Sequence, residues 1–307
     1  MAVPPVPEAP RARGVLGSQG QGHLAMLVFS ALVAGSFSLG ARVADAVDPV
    51  AFTALRFWVA GLVIGAGLAM GGGMRRPRAV WRQGLLGVLY TLYFVLMFEG
   101  LKTAPPVSAS AVFTLTPLMA AGFGWWLLRQ RFSGRIAAAL ALGGAGALWV
   151  IFRADLGALL ALDLGRGEAI YFLGCVAHAL YTPLVARLNR GEGAAEFSLG
   201  VVLAGAILLT ALGLPRILAT DWAALPALVW VTLLYVAVFA SAATMVLLQF
   251  AALRLPSSKV MAYTYLVPAW VLLWEEALGA PPPPALVLLG VAMTGAALLL
   301  LLRPERG

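Results

Sequence analysis

Ala252-Leu253-Arg254-Leu255-Pro256-Ser257-Ser258-Lys259 runs on as an apolar stretch through Tyr263, Tyr265 and Pro268 to Trp274-Glu275-Glu276. About 150 residues earlier the same grammar is written as Gly100-Leu101-Lys102-Thr103-Ala104-Pro105-Pro106-Val107-Ser108, followed by a run through Phe113 and Thr114 to Thr116-Pro117. In both copies a hydrophobic segment ends in Leu-(Lys/Arg) and a Pro/Ser elbow follows. A new hydrophobic segment then opens, with a proline 14 or 15 residues after the base. A repeat of this length is too long for a solenoid, so it divides the chain into two homologous halves.

The surroundings of the repeat place it in a bilayer. Hydrophobic residues make up 62% of the 307 and charged residues 11%, too little charge for a soluble surface. The net charge of +8 is spread singly or in twos and threes between apolar runs, which suits membrane-span flanks and argues against nucleic acid as a partner. The single cysteine, Cys175, excludes an internal disulfide and argues against a thiolate metal site. Residues 1–23, rich in Pro, Gly and Arg, read as a disordered tail followed by a retained span and not by a signal-peptide cleavage site.

Cutting the chain at its charges and Pro/Gly clusters gives ten runs of spanning length, near 24–44, 49–71, 82–101, 106–128, 134–152, 167–187, 196–215, 224–250, 258–279 and 284–302. The expected fold is therefore an all-α integral membrane protein with ten transmembrane helices in two inverted five-helix repeats, 24–157 and 163–303. Of the 21 basic residues, fifteen fall on one side of this layout, including Arg75, Arg76, Arg78, Arg129, Arg131, Arg187, Arg190 and Arg254. Five fall on the other: Arg42, Lys102, Arg153, Arg166 and Arg216. That bias puts both termini in the cytoplasm, in a multi-pass protein of the inner (plasma) membrane. Five spans per half is an odd number, so the halves insert with opposite polarity. Paired inverted halves around a midplane site are the architecture of secondary transporters.

Polarity within the spans picks out a pathway, because polar groups in hydrocarbon must face protein or water. Runs one, three, four, six, eight and nine carry the hydroxyls, rings and the one in-span histidine. Their candidate substrate-binding residues are Ser36, Ser38, Tyr90, Tyr93, Phe94, Thr114, Tyr171, His178, Tyr181, Tyr235, Tyr263, Thr264 and Trp270. Tyr171, Cys175, His178 and Thr182 share one helical face; the histidine reads as cavity wall, as a hydrogen-bonded structural group or, with His23 alone for company, as a poorly supported metal ligand. Runs five and ten hold small residues four apart, Ala139/Gly143/Ala147 and Gly290/Thr294, and read as packing or dimer helices outside the pathway. Glu99, Glu275 and Glu276 are candidate proton or cation sites or else headgroup-level residues, with Glu99 in the second case paired locally with Lys102, and Arg56 either snorkels to the interface or holds a substrate carboxylate.

No enzyme signature is present: neither Lys102 nor Lys259 ends a phosphate-binding loop, and there is no His-Glu-x-x-His or Gly-x-Ser-x-Gly. No cofactor is expected.

With its paired Leu-(Lys/Arg) ends, Pro/Ser elbows and in-span prolines, the chain resembles the EamA-type members of the drug/metabolite transporter superfamily over residues 24–302. Asp48-Pro49 through Arg56-Phe57 is similar to that family's Pro-x6-Arg pattern. The second half departs from it: Gly200 is nearest the place equivalent to Arg56, and Gly279-Ala280-Pro281 replaces a Gly-Glu. Within the family the chain looks most like YddG-type exporters. That resemblance implies export of small metabolites, neutral or aromatic amino acids foremost, by alternating access through a central cavity, by a monomer or homodimer. The alternatives are a cationic drug or nucleotide-sugar carrier, or a non-transporting receptor or assembly subunit.

Overall fold

The computed structural model describes residues 17–71, 80–130, 133–161 and 164–302. Arg75, Arg76, Arg78 and Arg131, used above for orientation, lie outside them, as do residues 1–16. All regular structure among the described residues is helical.

The first three helices are α1 (Ser18–Val43), α2 (Pro49–Met70) and α3 (Val80–Leu101). Helix α1 starts within the stretch read as a tail: residues from Ser18 onward are helical. Asp48 and Pro49 act as the cap and first turn of α2. The Asp48 carboxylate accepts from the Val50 and Ala51 amides, and a proline at the first helical position loses no bond. The fourth run is built from α4 (Pro106–Phe113) and α5 (Thr116–Leu128), followed by α6 (Gly134–Ile151) and the short α7 (Leu156–Ala161) between the halves. The second half comprises α8 (Arg166–Leu188), α9 (Ala194–Ala219), α10 (Ala227–Ala237), a π-helical turn over Val238–Ala243, and α11 (Thr244–Ala252). It ends with α12 (Ser257–Ala262), a 3-10 turn over Tyr263–Leu266, α13 (Val267–Ala277) and α14 (Ala285–Leu302).

Nine of the ten runs form helices long and apolar enough to cross a membrane, among the described residues. The ninth run, α12 to α13, is interrupted and is not one of them. Its break has a mate in the first half. Leu115 precedes Thr116-Pro117 with φ −77° and ψ −14°, and Leu266 precedes Val267-Pro268 with φ −84° and ψ −17°. Proline has no N–H, so the carbonyl four residues earlier loses its usual helical donor at each site; at the second, the Thr264 carbonyl accepts from the Val267 amide instead. At the first break, Thr116 Oγ1 donates to the Phe113 carbonyl at 2.6 Å. The two broken segments meet at their breaks, with Thr116 and Thr264 hydroxyls 3.3 Å apart.

The helix contacts repeat between halves. Helix α2 lies antiparallel to α9, Val50 against Gly213, Gly61 against Leu203 and Gly65 against Leu199. Helix α6 lies antiparallel to α14, with Gly146 against Gly290 and the Trp149 indole donating to the Leu286 carbonyl at 2.9 Å. Each of these pairs joins the equivalent runs of the two halves, so the halves run in opposite directions, as inverted repeats do. Packing of α3 on α8 likewise has its counterpart in α1 on α10 and α11. Where hydrocarbon surrounds both partners, close backbone approach supplies the attraction. A β-carbon on Gly146 would come within 2.7 Å of the Gly290 carbonyl oxygen, so this contact requires glycine. Large apolar side chains such as Leu62, Trp125, Trp126 and Leu212 face outward.

Candidate functional site

Between the halves, α3 and α8 bring their rings together because Gly100, Gly167 and Gly174 let the two backbones approach closely. Tyr90, Tyr93 and Phe94 from α3 meet Tyr171, His178 and Tyr181 from α8, all essentially buried. The imidazole of His178 lies on the Tyr93 ring, centroids 4.3 Å apart and planes 22° from parallel. Phe113 from α4 and Tyr181 flank it at 5.5 Å and 6.1 Å. Phe37 from α1 closes one side against Phe113 and Tyr171, and Phe57 from α2 stacks on Tyr90.

The cluster is amphipathic. Tyr171 donates to the Tyr93 hydroxyl at 3.2 Å, and Gln249 of α11 donates to the Tyr181 hydroxyl at 3.1 Å. Neither ring nitrogen of His178 has a hydrogen-bond partner, and the Ser36, Ser38 and Gln249 side-chain oxygens are also buried and unsatisfied. Buried polar atoms are nearly always paired. The His178 nitrogens and the Gln249 oxygen belong to the ring cluster itself, an arrangement suited to a guest with a flat apolar part and a polar end. Among the described residues no group of acidic, histidine or cysteine side chains suits a metal ion.

The profile of the EamA-like transporter family matches the chain twice, over residues 20–152 and 165–303. The chain belongs to the EamA-like transporter family. Proteins of this family are transporters, not enzymes. The chain is 37% identical over 129 residues to the protein named aromatic amino acid exporter YddG of Ancylobacter novellus, a match covering 41% of this chain and 42% of that protein. It is 25% identical over 264 residues to the uncharacterized transporter YyaM of Bacillus subtilis, covering 84% and 86% of the two chains. A solved crystal structure superposes with a TM-score of 0.70 at 22% identity over 93% of this chain and 96% of that one, and so shares its fold.

Not all the residues singled out from the sequence of this EamA-family chain meet at the cluster. Tyr263 instead pairs with His23 at 3.1 Å, Trp270 donates to Ser30 at 3.2 Å and Tyr235 donates to the Leu32 carbonyl at 2.9 Å. These three line the contact of α1 with the second half. Thr114 bonds back to Ala111, and Thr264 to Met261. Glu99 pairs with Lys102 at 2.7 Å, and Glu275 pairs with Arg42 at 3.0 Å, which places that carboxylate in a tie between halves. Arg56 does not snorkel: it is fully buried and turned inward over the Phe94 ring, 3.6 Å from the centroid. Sequence reasoning also passed over Phe37, Phe57 and Phe113, which no polarity signal marks, and Glu168, a buried carboxylate that accepts from Ser108 at 2.8 Å.

Proposed function

We propose that this EamA-family chain exports neutral, preferably aromatic, amino acids by alternating access, the halves rocking about the buried cluster of α3 and α8. The observation that carries the reading is the stacked Tyr93–His178 platform with its unsatisfied nitrogens between inverted halves. The partial match to a protein named as an aromatic amino acid exporter supports the same substrate class. A cation carrier needs an uncommitted carboxylate at the site; Glu99 and Glu275 are paired elsewhere, Glu276 is exposed, and the buried Glu168 is engaged by Ser108 in the first turn of α8. A sugar-nucleotide carrier needs a basic cluster for its phosphates, and among the described residues a single guanidinium, Arg56, adjoins the rings.

Cells producing the protein and preloaded with labelled phenylalanine should lose it faster than cells carrying an empty vector. Equal loss of phenylalanine, tyrosine and tryptophan from both would refute the reading.

A further inference from the structure

Arg56 of α2 lies wholly inside the protein, yet none of the four ion pairs among the described residues includes it. Its Nε donates to Ser241 Oγ at 2.5 Å and its Nη2 to the Ala240 carbonyl at 2.8 Å. Both acceptors belong to the π-helical turn of the opposite half, a backbone feature concentrated at functional sites. The guanidinium plane rests on Phe94. These three contacts fix the fork and leave one corner free: Nη1 is buried with no hydrogen-bond partner.

A cation held in a low-dielectric interior by neutral groups alone lacks the opposite charge that would compensate its lost hydration. The missing complement is an anion with planar acceptor oxygens, since the guanidinium edge matches a carboxylate. Phe94 joins this corner to the rings, standing edge-on to Tyr90 with centroids 4.8 Å apart and 4.7 Å from Tyr93, which carries His178. Free donor and aromatic platform are thus neighbours.

We infer that Arg56 is the anchor for the transported solute's carboxylate, which accepts from Nη1 while the solute's ring packs against the Tyr93–His178 side of the cluster. This rests on the reading of the chain as an amino-acid carrier. It also gives the site a link to motion: Arg56 belongs to the first half and is clasped by the second, so a carboxylate that draws the guanidinium changes a contact between them.

The test is counterflow of labelled tryptophan in liposomes holding the purified full chain, with tryptophan, indole-3-acetate, tryptophanamide and tryptamine as competitors. Tryptophan and indole-3-acetate should compete at least tenfold better than the two compounds without a carboxylate. Arg56→Gln should lower exchange tenfold or more and level these preferences, with Arg56→Lys in between. The comparison of competitors on the unaltered protein holds even where Arg56→Gln fails to fold. Equal competition by tryptophan and tryptophanamide overturns the anchor, as does a folded Arg56→Gln that exchanges normally. Where tryptophan itself does not move, directly labelled indole-3-acetate and tryptamine separate the two ideas. Flux of the acid alone keeps the anchor while the amino-acid reading falls; flux of the amine alone, or of neither, overturns both.

Discussion

Arg82 and Glu192 tie the two halves together at one end of the molecule: Arg82 Nη2 donates to Glu192 Oε1 at 2.6 Å, while Nη1 donates to the Leu188 carbonyl at 2.5 Å. At the opposite end Arg42 meets Glu275 at 3.0 Å. Halves that rock must release such ties in turn, and the rings of α3 and α8 lie between them. In this structure both ties are formed.

The Arg82–Glu192 tie sets a pH dependence. Partial burial alone would raise the Glu192 carboxyl, but the Arg190 amide and the Arg82 guanidinium hold it below its ordinary 4.5. A carboxyl lowered by folding contributes stability that is complete above that ordinary value and is lost as pH falls through the folded one. Glu192→Gln should therefore cost about 1–3 kcal/mol at neutral pH. The gap between the two melting curves in detergent should close below pH ~4.5. A gap that persists in acid would contradict it.

The α6–α14 contact predicts opposite outcomes for one kind of substitution. At Gly146 an added β-carbon meets the backbone of α14, whereas at Gly295 it meets nothing within 4 Å. Gly146→Ala should destabilise by about 1–3 kcal/mol through overpacking. Gly295→Ala should be neutral or gain up to about 1 kcal/mol of helix propensity. Thermal melts of the two variants check this.

For the ring cluster, Tyr93→Leu removes the face on which His178 lies and should cut aromatic amino-acid flux severalfold with folded protein retained. Tyr93→Ala would leave a cavity costing about 3–5 kcal/mol. Tyr263→Leu, at the His23 contact, should change flux far less. Equal losses at Tyr93 and Tyr263, measured per folded molecule, would move the site away from α3 and α8.

Inverted halves with cytoplasmic termini place Arg190 and Leu156 on opposite sides. Cysteine introduced at Arg190 should react with an impermeant reagent from the cytoplasm, and at Leu156 from outside. Cys175 is buried and contributes little background. Reaction of both from one side would contradict the topology.

How much of this was legible in the sequence follows from what each signal measures. Run lengths and the Lys102/Arg254 repeat located the helices and the inversion, because spanning a bilayer constrains every residue of a run. The in-span prolines Pro117 and Pro268 were visible too, but not that each breaks its helix at the facing position of the other half. Polarity found Tyr90, Tyr93, Tyr171, His178 and Tyr181, since costly groups in hydrocarbon point inward. It also swept in Tyr235, Tyr263 and Trp270, whose polar tips serve contacts along α1. The side to which Arg56 turns depends on a π-turn 185 residues away, and no local pattern carries that.

Counterflow into liposomes containing this protein alone bears most directly on transport of aromatic amino acids by rocking of the halves. With unlabelled tryptophan inside and no ATP, labelled phenylalanine should accumulate transiently above the level of protein-free vesicles, and a sugar nucleotide inside should not drive it. No accumulation with any aromatic amino acid, or accumulation only when ATP is supplied, would contradict the account.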